Sequence, residues 1–262
     1  MSEFEGKVAI VTGGANGMGE AVVRELAANG ATVVIADIDR ERAETVEAAV
    51  RSSGGTARAV HTDVRDEDQV RALVDTVVAE YGRIDILDNN AASLELTAND
   101  PDVVALDPQI LHQTLQGNLI APFLCSKYVI PVMIAGGGGS IINMASVAGF
   151  TGDIALTAYA LSKAGVIQLT RAIAVQYGKQ NVRANAIAPA TILTPNVDAY
   201  MPQDYRDAYI HNSSTPFLGA PEDVSGLVVF LASQRARYMT GHVIPVDGGI
   251  TSALAVAHDR RT

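Results

Sequence analysis

An apolar, β-branched run at residues 7–12 passes without a spacer into the turn Thr-Gly-Gly-Ala-Asn-Gly-Met-Gly at residues 12–19. A helical pattern begins inside that turn and runs over 17–29, and a second β-branched run follows at 32–37. Few folds accept such a junction. A strand that ends in glycines and feeds a helix at once must hand the chain to a second layer. Strand, crossover helix and strand then form a βαβ unit whose two strands lie parallel.

The alternation continues to the end of the chain. Strand patterns at 56–62, 84–89, 140–145, 182–188 and 243–246 are interleaved with helical patterns at 40–52, 66–81, 108–135, 159–177 and 221–233. Asp66 is placed to cap the third helix, because its side chain can accept from the free N–H groups of the first turn. The strands are nearly continuous apolar runs, as burial on both faces requires. The fold class is therefore α/β, a doubly wound parallel sheet of Rossmann type. No repeat, long charge run or proline-rich linker divides the chain, which predicts one domain over residues 1–262.

Composition narrows the partners. Of 262 residues 48% are apolar, enough for a large core and against disorder. The net charge of −10 repels nucleic-acid phosphates and anionic lipid, so neither is an expected partner. The single cysteine, Cys125, lies in an apolar stretch and predicts a buried thiol rather than a disulfide or a nucleophile. Residues 1–5 are acidic, unlike a signal peptide, and the longest unbroken apolar runs, such as 227–232, fall short of the roughly 18 residues that span a bilayer. These features predict a cytoplasmic, soluble protein. The histidines at 61, 112, 211, 242 and 258 show no metal-ligand spacing, so no metal is expected.

The glycine turn carries chemistry. Gly13 and Gly17, without a Cβ, permit a tight turn and let the backbone approach a pyrophosphate, with Asn16 and Met18 completing the cradle. Gly19 lets the helix pack close to the strand. The helix N-terminus offers free N–H groups and a partial positive charge to phosphates. Asp37 ends the second strand, 18 residues after Gly19, where a carboxylate can accept from both hydroxyls of an adenosine ribose and repels a 2′-phosphate. Ile38 follows it and no Arg or Lys stands in the turn, so the cofactor predicted is NAD rather than NADP.

Tyr159 and Lys163 stand at i and i+4 on a predicted helix, side by side on one face. A free tyrosine, with a pKa of about 10, is a poor base near neutrality, and a neighbouring cation favours its phenolate. Alone, such a pair is more often a surface pair than a catalytic one. Ser146, however, lies 13 residues upstream, just past the fifth strand, where ligands bind in parallel sheets.

Together these residues resemble the short-chain dehydrogenase/reductase family, in its single-domain branch. The likeness covers nearly the whole chain: the glycine turn, Asp63-Val64, Asn89-Asn90-Ala91, Asn118, Ser146, Tyr159 with Lys163, Pro189 through Thr194, and Asp247-Gly248-Gly249. The resemblance implies that Ser146 holds the substrate oxygen while Tyr159 exchanges its proton as hydride moves to or from the nicotinamide. It implies that Lys163 binds the nicotinamide ribose and lowers the tyrosine pKa, and that Asn118 kinks its helix and holds a water. Asp63 and Val64 would meet the adenine, and Asn90, Ala91, Ala92 and Pro189 would line the cofactor. Asn89 would brace the central strand, and Ile192 and Thr194 would meet the carboxamide. It further implies a homotetramer, built through the helices near Asn118 and Tyr159 and the C-terminal region.

Residues 194–219 resemble the family's substrate-covering segment. They hold Tyr200, Met201, Tyr205, Tyr209 and Phe217, a dense aromatic set for a chain with 5% aromatics. Such a set either favours an apolar or ring-containing substrate or packs the segment onto the domain. Asp153, Leu156 and Tyr200 are further candidates for substrate contact, beside Ser146 and Tyr159.

Some positions depart from the family pattern. Ala92 and Ala190 stand where glycine is common, and Asp88 stands where an apolar residue is usual. Burying a bare carboxylate is costly, so Asp88 is expected to have a hydrogen-bond partner near the sheet edge of the cofactor site. The polar stretch 94–108, with Glu95, Asp102 and Asp107, rims the active site, lies at an interface or is a solvated loop. The reading favoured is an NAD-dependent oxidoreductase acting on a secondary alcohol or ketone. Its rivals are reduction of a 3-oxoacyl thioester, which Asp37 disfavours, and a non-catalytic NAD-binding sensor or scaffold, which the presence of Ser146, Tyr159 and Lys163 disfavours.

Overall fold

The computed structural model describes residues 2–253, without the side chains of Asn196 and Tyr200. Its strands are β1 (Val8–Thr12), β2 (Thr32–Asp37), β3 (Thr56–His61), β4 (Ile86–Asn89), β5 (Gly139–Met144), β6 (Val182–Pro189) and β7 (Val243–Val246). All pair in parallel, in the order β3-β2-β1-β4-β5-β6-β7. From β1 the chain first builds outward through β2 to β3, then returns to lay β4 on the other side of β1. That reversal opens a crevice at the carboxyl ends of β1 and β4, the place where parallel sheets bind ligands.

Helices cover both faces, as the two-sided apolar strands require. Ala9, Val11, Ile35, Ile86 and Ile142 pack against α1 (Gly17–Ala28), α2 (Arg40–Ser52) and α9 (Pro221–Ala232). Val8, Ile10, Val34, Leu87 and Ile141 pack against α3 (Glu67–Tyr81), α5 (Ala121–Ala135) and α6 (Thr157–Tyr177). Leu26 of α1 is fully buried in the first layer, and truncating it to alanine is expected to cost about 2–5 kcal/mol in transfer and cavity terms. Asp66 caps α3 as expected, accepting from Asp68 and Gln69 N–H, and the helix ends at left-handed Gly82. Cys125 is buried, and that burial pushes its thiol up to about 12.

The expected single helix over 108–135 is interrupted. Between α4 (Pro108–Leu115) and α5 the backbone widens into a π turn, Gln116–Ile120. Two local features match the change. Pro122, just past the turn, has no N–H to give to the ladder. Gly117 seats against Ser93 so closely that a Cβ there would fall 2.1 Å from the Ser93 hydroxyl. By length and composition this 28-residue helix could cross a bilayer, although no unbroken run in the sequence suggested one. Half of its most apolar stretch is buried against the rest of the chain.

Asp88 corrects an expectation. It lies on β4, the middle strand, in register with Val11 and Ile142. Strand alternation puts it on the same face as Ile86, in the apolar layer shared with α1 and α9. Neither carboxyl oxygen has a hydrogen-bond partner among the described residues. Burial alone drives its pKa up to about 8, so at neutral pH the group is relieved by holding its proton rather than by a partner.

Residues 194–219 are also more regular than a covering loop. They contain two short helices, α7 (Pro195–Tyr200) and α8 (Gln203–Asn212). A parallel bridge between Ile192 and Gly219 closes the base of this segment, with Leu193 N–H donating to Gly219 O at 2.7 Å.

Candidate active site

The glycine turn sits at the mouth of the crevice. Gly13 and Gly17 both adopt positive φ, +64° and +55°, where a side chain is strained. A Cβ on Gly19 would lie 2.1 Å from Gly13 O, so the first turn of α1 can press against the strand end only because glycine stands there. Asn16, the N-cap residue, makes no side-chain cap bond, which leaves the first-turn N–H groups of α1 for another acceptor.

The ends of β2 and β3 shape one half of the cleft. The Asp37 carboxylate accepts the N–H of Ala15 at 2.9 Å and of Asp39 at 2.9 Å. Ile38 beside it is exposed. Asp63 is clamped by Arg65, whose guanidinium donates to both carboxylate oxygens at 2.9 and 2.7 Å. That hydrogen bonding holds the Asp63 carboxyl below its usual range. The sequence reading did not single out Arg65.

A polar lattice fixes the strand ends between the two halves. The Asn90 side chain donates to Thr12 O and Gly13 O at 3.1 and 3.0 Å, while its buried Oδ1 has no partner among the described residues. Asn89 points the other way, donating to Asn143 at 2.8 Å and Ser126 at 3.2 Å, and Asn143 donates to Thr170 at 2.9 Å. The bracing expected of Asn89 is thus present as a chain linking β4, β5 and α6.

Ser146, Tyr159 and Lys163 converge past the end of β5. The Tyr159 phenol is pushed above its ordinary pKa by burial, which outweighs a hydrogen bond from the Ser146 side. Lys163 is buried and donates to Met144 O at 2.8 Å, and burial brings its pKa down to about 8. Its ammonium lies 5.6 Å from the centre of the Tyr159 ring. The lowering of the tyrosine by this lysine, which the resemblance implied, is therefore not what the protein alone displays. Desolvation of the phenolate is the larger effect here. Asn118 sits on the π turn, buried, and its Oδ1 accepts the Ser93 N–H at 2.7 Å. Ser93 is a contact that sequence reasoning missed.

Many of these groups line one cleft of about 830 Å³, whereas Gly19 and Asn118 are not among its lining residues, which include Asn118's neighbours Gly117 and Ser93. It runs from Asp37, Ile38, Asp63 and Val64 to Ser146, Tyr159 and Lys163, passing Gly13, Gly17, Asn90 and Ala92. Pro189, Ile192 and Thr194 close one wall, and Val197, Met201, Tyr205 and Tyr209 lie across it. Asp153 and Leu156 are not brought to this cleft. The Asp153 carboxylate turns onto the N–H of Ile154 in an exposed bend, and Leu156 takes left-handed backbone angles at the start of α6. The Tyr200 side chain lies outside the described residues.

Residues 13–251 match the sequence family described as enoyl-(acyl carrier protein) reductase. The chain is 41% identical to the 7alpha-hydroxysteroid dehydrogenase of Bacteroides fragilis over 251 residues, covering 96% of each protein. It is 40% identical to the cis-4-hydroxycyclohexanecarboxylate dehydrogenase of Sinomonas cyclohexanicum, covering 95% of this chain and 98% of that one. This chain belongs to the short-chain dehydrogenase/reductase family. A solved member, a 7 alpha-hydroxysteroid dehydrogenase complexed with NADH and 7-oxo glycochenodeoxycholic acid, superposes with a TM-score of 0.89 at 32% identity, over 94% of this chain and 95% of that one.

As a short-chain dehydrogenase/reductase the protein is an oxidoreductase that uses a nicotinamide cofactor, and the residues present fit such a group. A Cβ on Gly13 would meet the Ala91 backbone at 2.9 Å, and one on Gly17 would meet the Thr194 side chain at 3.0 Å. The bare glycine backbone therefore forms the floor of the cleft, under the first turn of α1. The two departures from the family pattern, Ala92 and Ala190, both line the cleft, where each adds a methyl and removes no reacting group.

Proposed function

We propose that this short-chain dehydrogenase/reductase is an NAD-dependent secondary-alcohol dehydrogenase, working as a ketone reductase in reverse, with Tyr159 as its acid/base. The observation that carries the reading is the convergence of Ser146, Tyr159 and buried Lys163 on one cleft past the end of β5. In oxidation, the substrate hydroxyl is held by Ser146 and gives its proton to Tyr159 as the carbinol carbon loses hydride. The bound oxidised cofactor supplies the hydride acceptor, so alcohol and NAD become ketone, NADH and a proton. Lys163 would hold the nicotinamide ribose, and the buried Asn118 amide nitrogen, which has no partner among the described residues, would be free to bind a water. Gly13, Asn16, Gly17, Met18 and Gly19 would receive the pyrophosphate, and Asp63 and Val64 would receive the adenine.

Two further features support the finer assignments. The Asp37 carboxylate is held at the end of β2 by backbone N–H groups, where it accepts from ribose hydroxyls and repels a 2′-phosphate. The outer wall of the cleft carries Leu94, Val197, Met201, Tyr205 and Tyr209, which suits an apolar or ring-containing substrate. The relatives named for a hydroxysteroid and a hydroxycyclohexanecarboxylate point the same way.

The test is an NADH-absorbance screen over cyclohexanol, cis-4-hydroxycyclohexanecarboxylate, a 7α-hydroxysteroid, an aliphatic diol and a sugar alcohol. Turnover of a cyclic alcohol with NAD preferred over NADP by at least about tenfold in kcat/KM, or about 1.4 kcal/mol, is expected. Preference for NADP would overturn the cofactor assignment, and activity confined to short, charged alcohols would overturn the apolar substrate.

A further inference from the structure

The catalytic helix begins without a cap of its own. Leu156, at the N-cap position of α6, adopts φ 60° and ψ 35° and offers no side-chain acceptor. Left-handed backbone at a non-glycine residue is strained, and first-turn N–H groups need partners. The partners come from a distant part of the chain. Asp100, only 4% exposed, accepts the Ala158 N–H on Oδ1 at 2.9 Å and the Tyr159 N–H on Oδ2 at 2.8 Å. Its own carbonyl accepts the Leu156 N–H at 2.8 Å, and the Pro101 carbonyl accepts the Thr157 hydroxyl at 2.9 Å. Two successive loop residues thus hold the four that open α6.

Ala158 and Tyr159 are the second and third residues of the helix, the positions that an N-cap side chain ordinarily serves. Asp100 does this from 59 residues away, and its carboxylate sits at the positive end of a 21-residue helix. The loop that carries it is pinned at its start as well, where Ser93 N–H donates to Asn118. Between those anchors, Leu94 and Glu95 line the cleft. The segment 93–101 therefore spans from the π turn to the acid/base residue along the rim of the site.

We propose that Asp100 is a positioning residue for Tyr159: its carboxylate completes the N-terminus of α6 and fixes the backbone from which the phenol reaches Ser146. This rests on Tyr159 being the acid/base. Removing the carboxylate frees two N–H groups in the first turn and lets the phenol drift from the reacting oxygen. Misplacement on this scale costs rate more than cofactor affinity.

The test compares wild type, Asp100→Ala, Asp100→Asn and Tyr159→Phe. It measures NADH binding by fluorescence, thermal midpoint, and kinetics with NAD and cyclohexanol or a 7α-hydroxysteroid, whichever turns over. Asp100→Ala is expected to lower kcat by about 10- to 100-fold while NADH affinity stays within about twofold of wild type. Asp100→Asn, which keeps one acceptor oxygen and sets an NH2 against the other N–H, is expected to fall between. If Asp100→Ala does not fold, Asp100→Asn decides by the same comparison. Unchanged kcat, or kcat and NADH affinity falling in parallel, overturns the positioning role. Full turnover by Tyr159→Phe instead overturns the acid/base reading itself, whatever the Asp100 variants do.

Discussion

The Asp37 carboxylate accepts the N–H of Ala15 at 2.9 Å, tying the end of β2 to the glycine turn that follows β1. One side chain therefore orders the glycine turn and, in the reading proposed above, presents its charge to a ribose. Asp37→Ala removes both effects. The expected outcome is a rise in KM for NAD and a loss of at least about tenfold in the NAD-to-NADP ratio of kcat/KM. Steady-state kinetics with each cofactor checks it, and an unchanged ratio would mean that another group sets the preference.

Tyr159→Phe keeps the ring and deletes the hydroxyl. Loss of a positioned acid/base group is expected to cost about 10²- to 10⁴-fold in kcat, with NADH affinity nearly unchanged. Ser146→Ala removes the proposed holder of the substrate oxygen and is expected to lower kcat as well. Stopped-flow single turnovers with NAD distinguish a chemical defect from a binding defect.

Asp88 makes stability depend on pH in an unusual direction for a carboxyl group. Its pKa is about 8 in the folded chain against an ordinary value of 3.8. Below the lower value both states hold the proton. Between about 4 and about 8 only the unfolded chain releases it, so native stability from this group falls across that window and is fully lost above it. Asp88→Val fits the same apolar layer and is expected to stabilise by about 1–3 kcal/mol near neutrality. Urea unfolding at about pH 5 and about pH 8.5 should show a larger gain at the higher value. An equal gain at both would sink the account.

Apolar side chains stand exposed on the helices through which the resemblance implied assembly, among them Phe123 on α5 and Leu161 on α6. If these faces join protomers into a tetramer, Phe123→Glu places an unpaired charge in the contact and splits it. Light scattering should report a tetramer for wild type and a smaller species for the variant. A wild-type monomer would refute the assembly.

The βαβ alternation, the glycine turn and the trio Ser146, Tyr159 and Lys163 were legible because each is local: a strand, a tight turn, or two residues one helical turn apart. The strand order was not, since it depends on which side of β1 the chain chooses to return. Nor was the π turn at Asn118. A helical period says nothing of one widened turn, and the contact that accompanies it comes from Ser93. Nothing local distinguishes Asp100 from its neighbours Asp102 and Asp107, because its partners lie 58 and 59 residues further on. Asp88 was recognised as out of place, but residue type shows only that a buried carboxyl must be relieved. Whether by a partner or by its own proton is decided by what surrounds it. The two short helices of 194–219 escaped because neither is long enough to show a period.

The parallel bridge at Ile192 and Gly219 brings the two ends of the segment between them side by side, and Ser214 and Thr215 N–H donate to Gly248 O past β7. Side chains of that segment line the cleft, while Ser146 stands past β5 and Tyr159 and Lys163 stand on α6, outside the segment. A molecule built this way can change its diet by exchanging one cassette. Transplanting residues 194–219 between relatives would then carry substrate preference along and leave the chemistry behind.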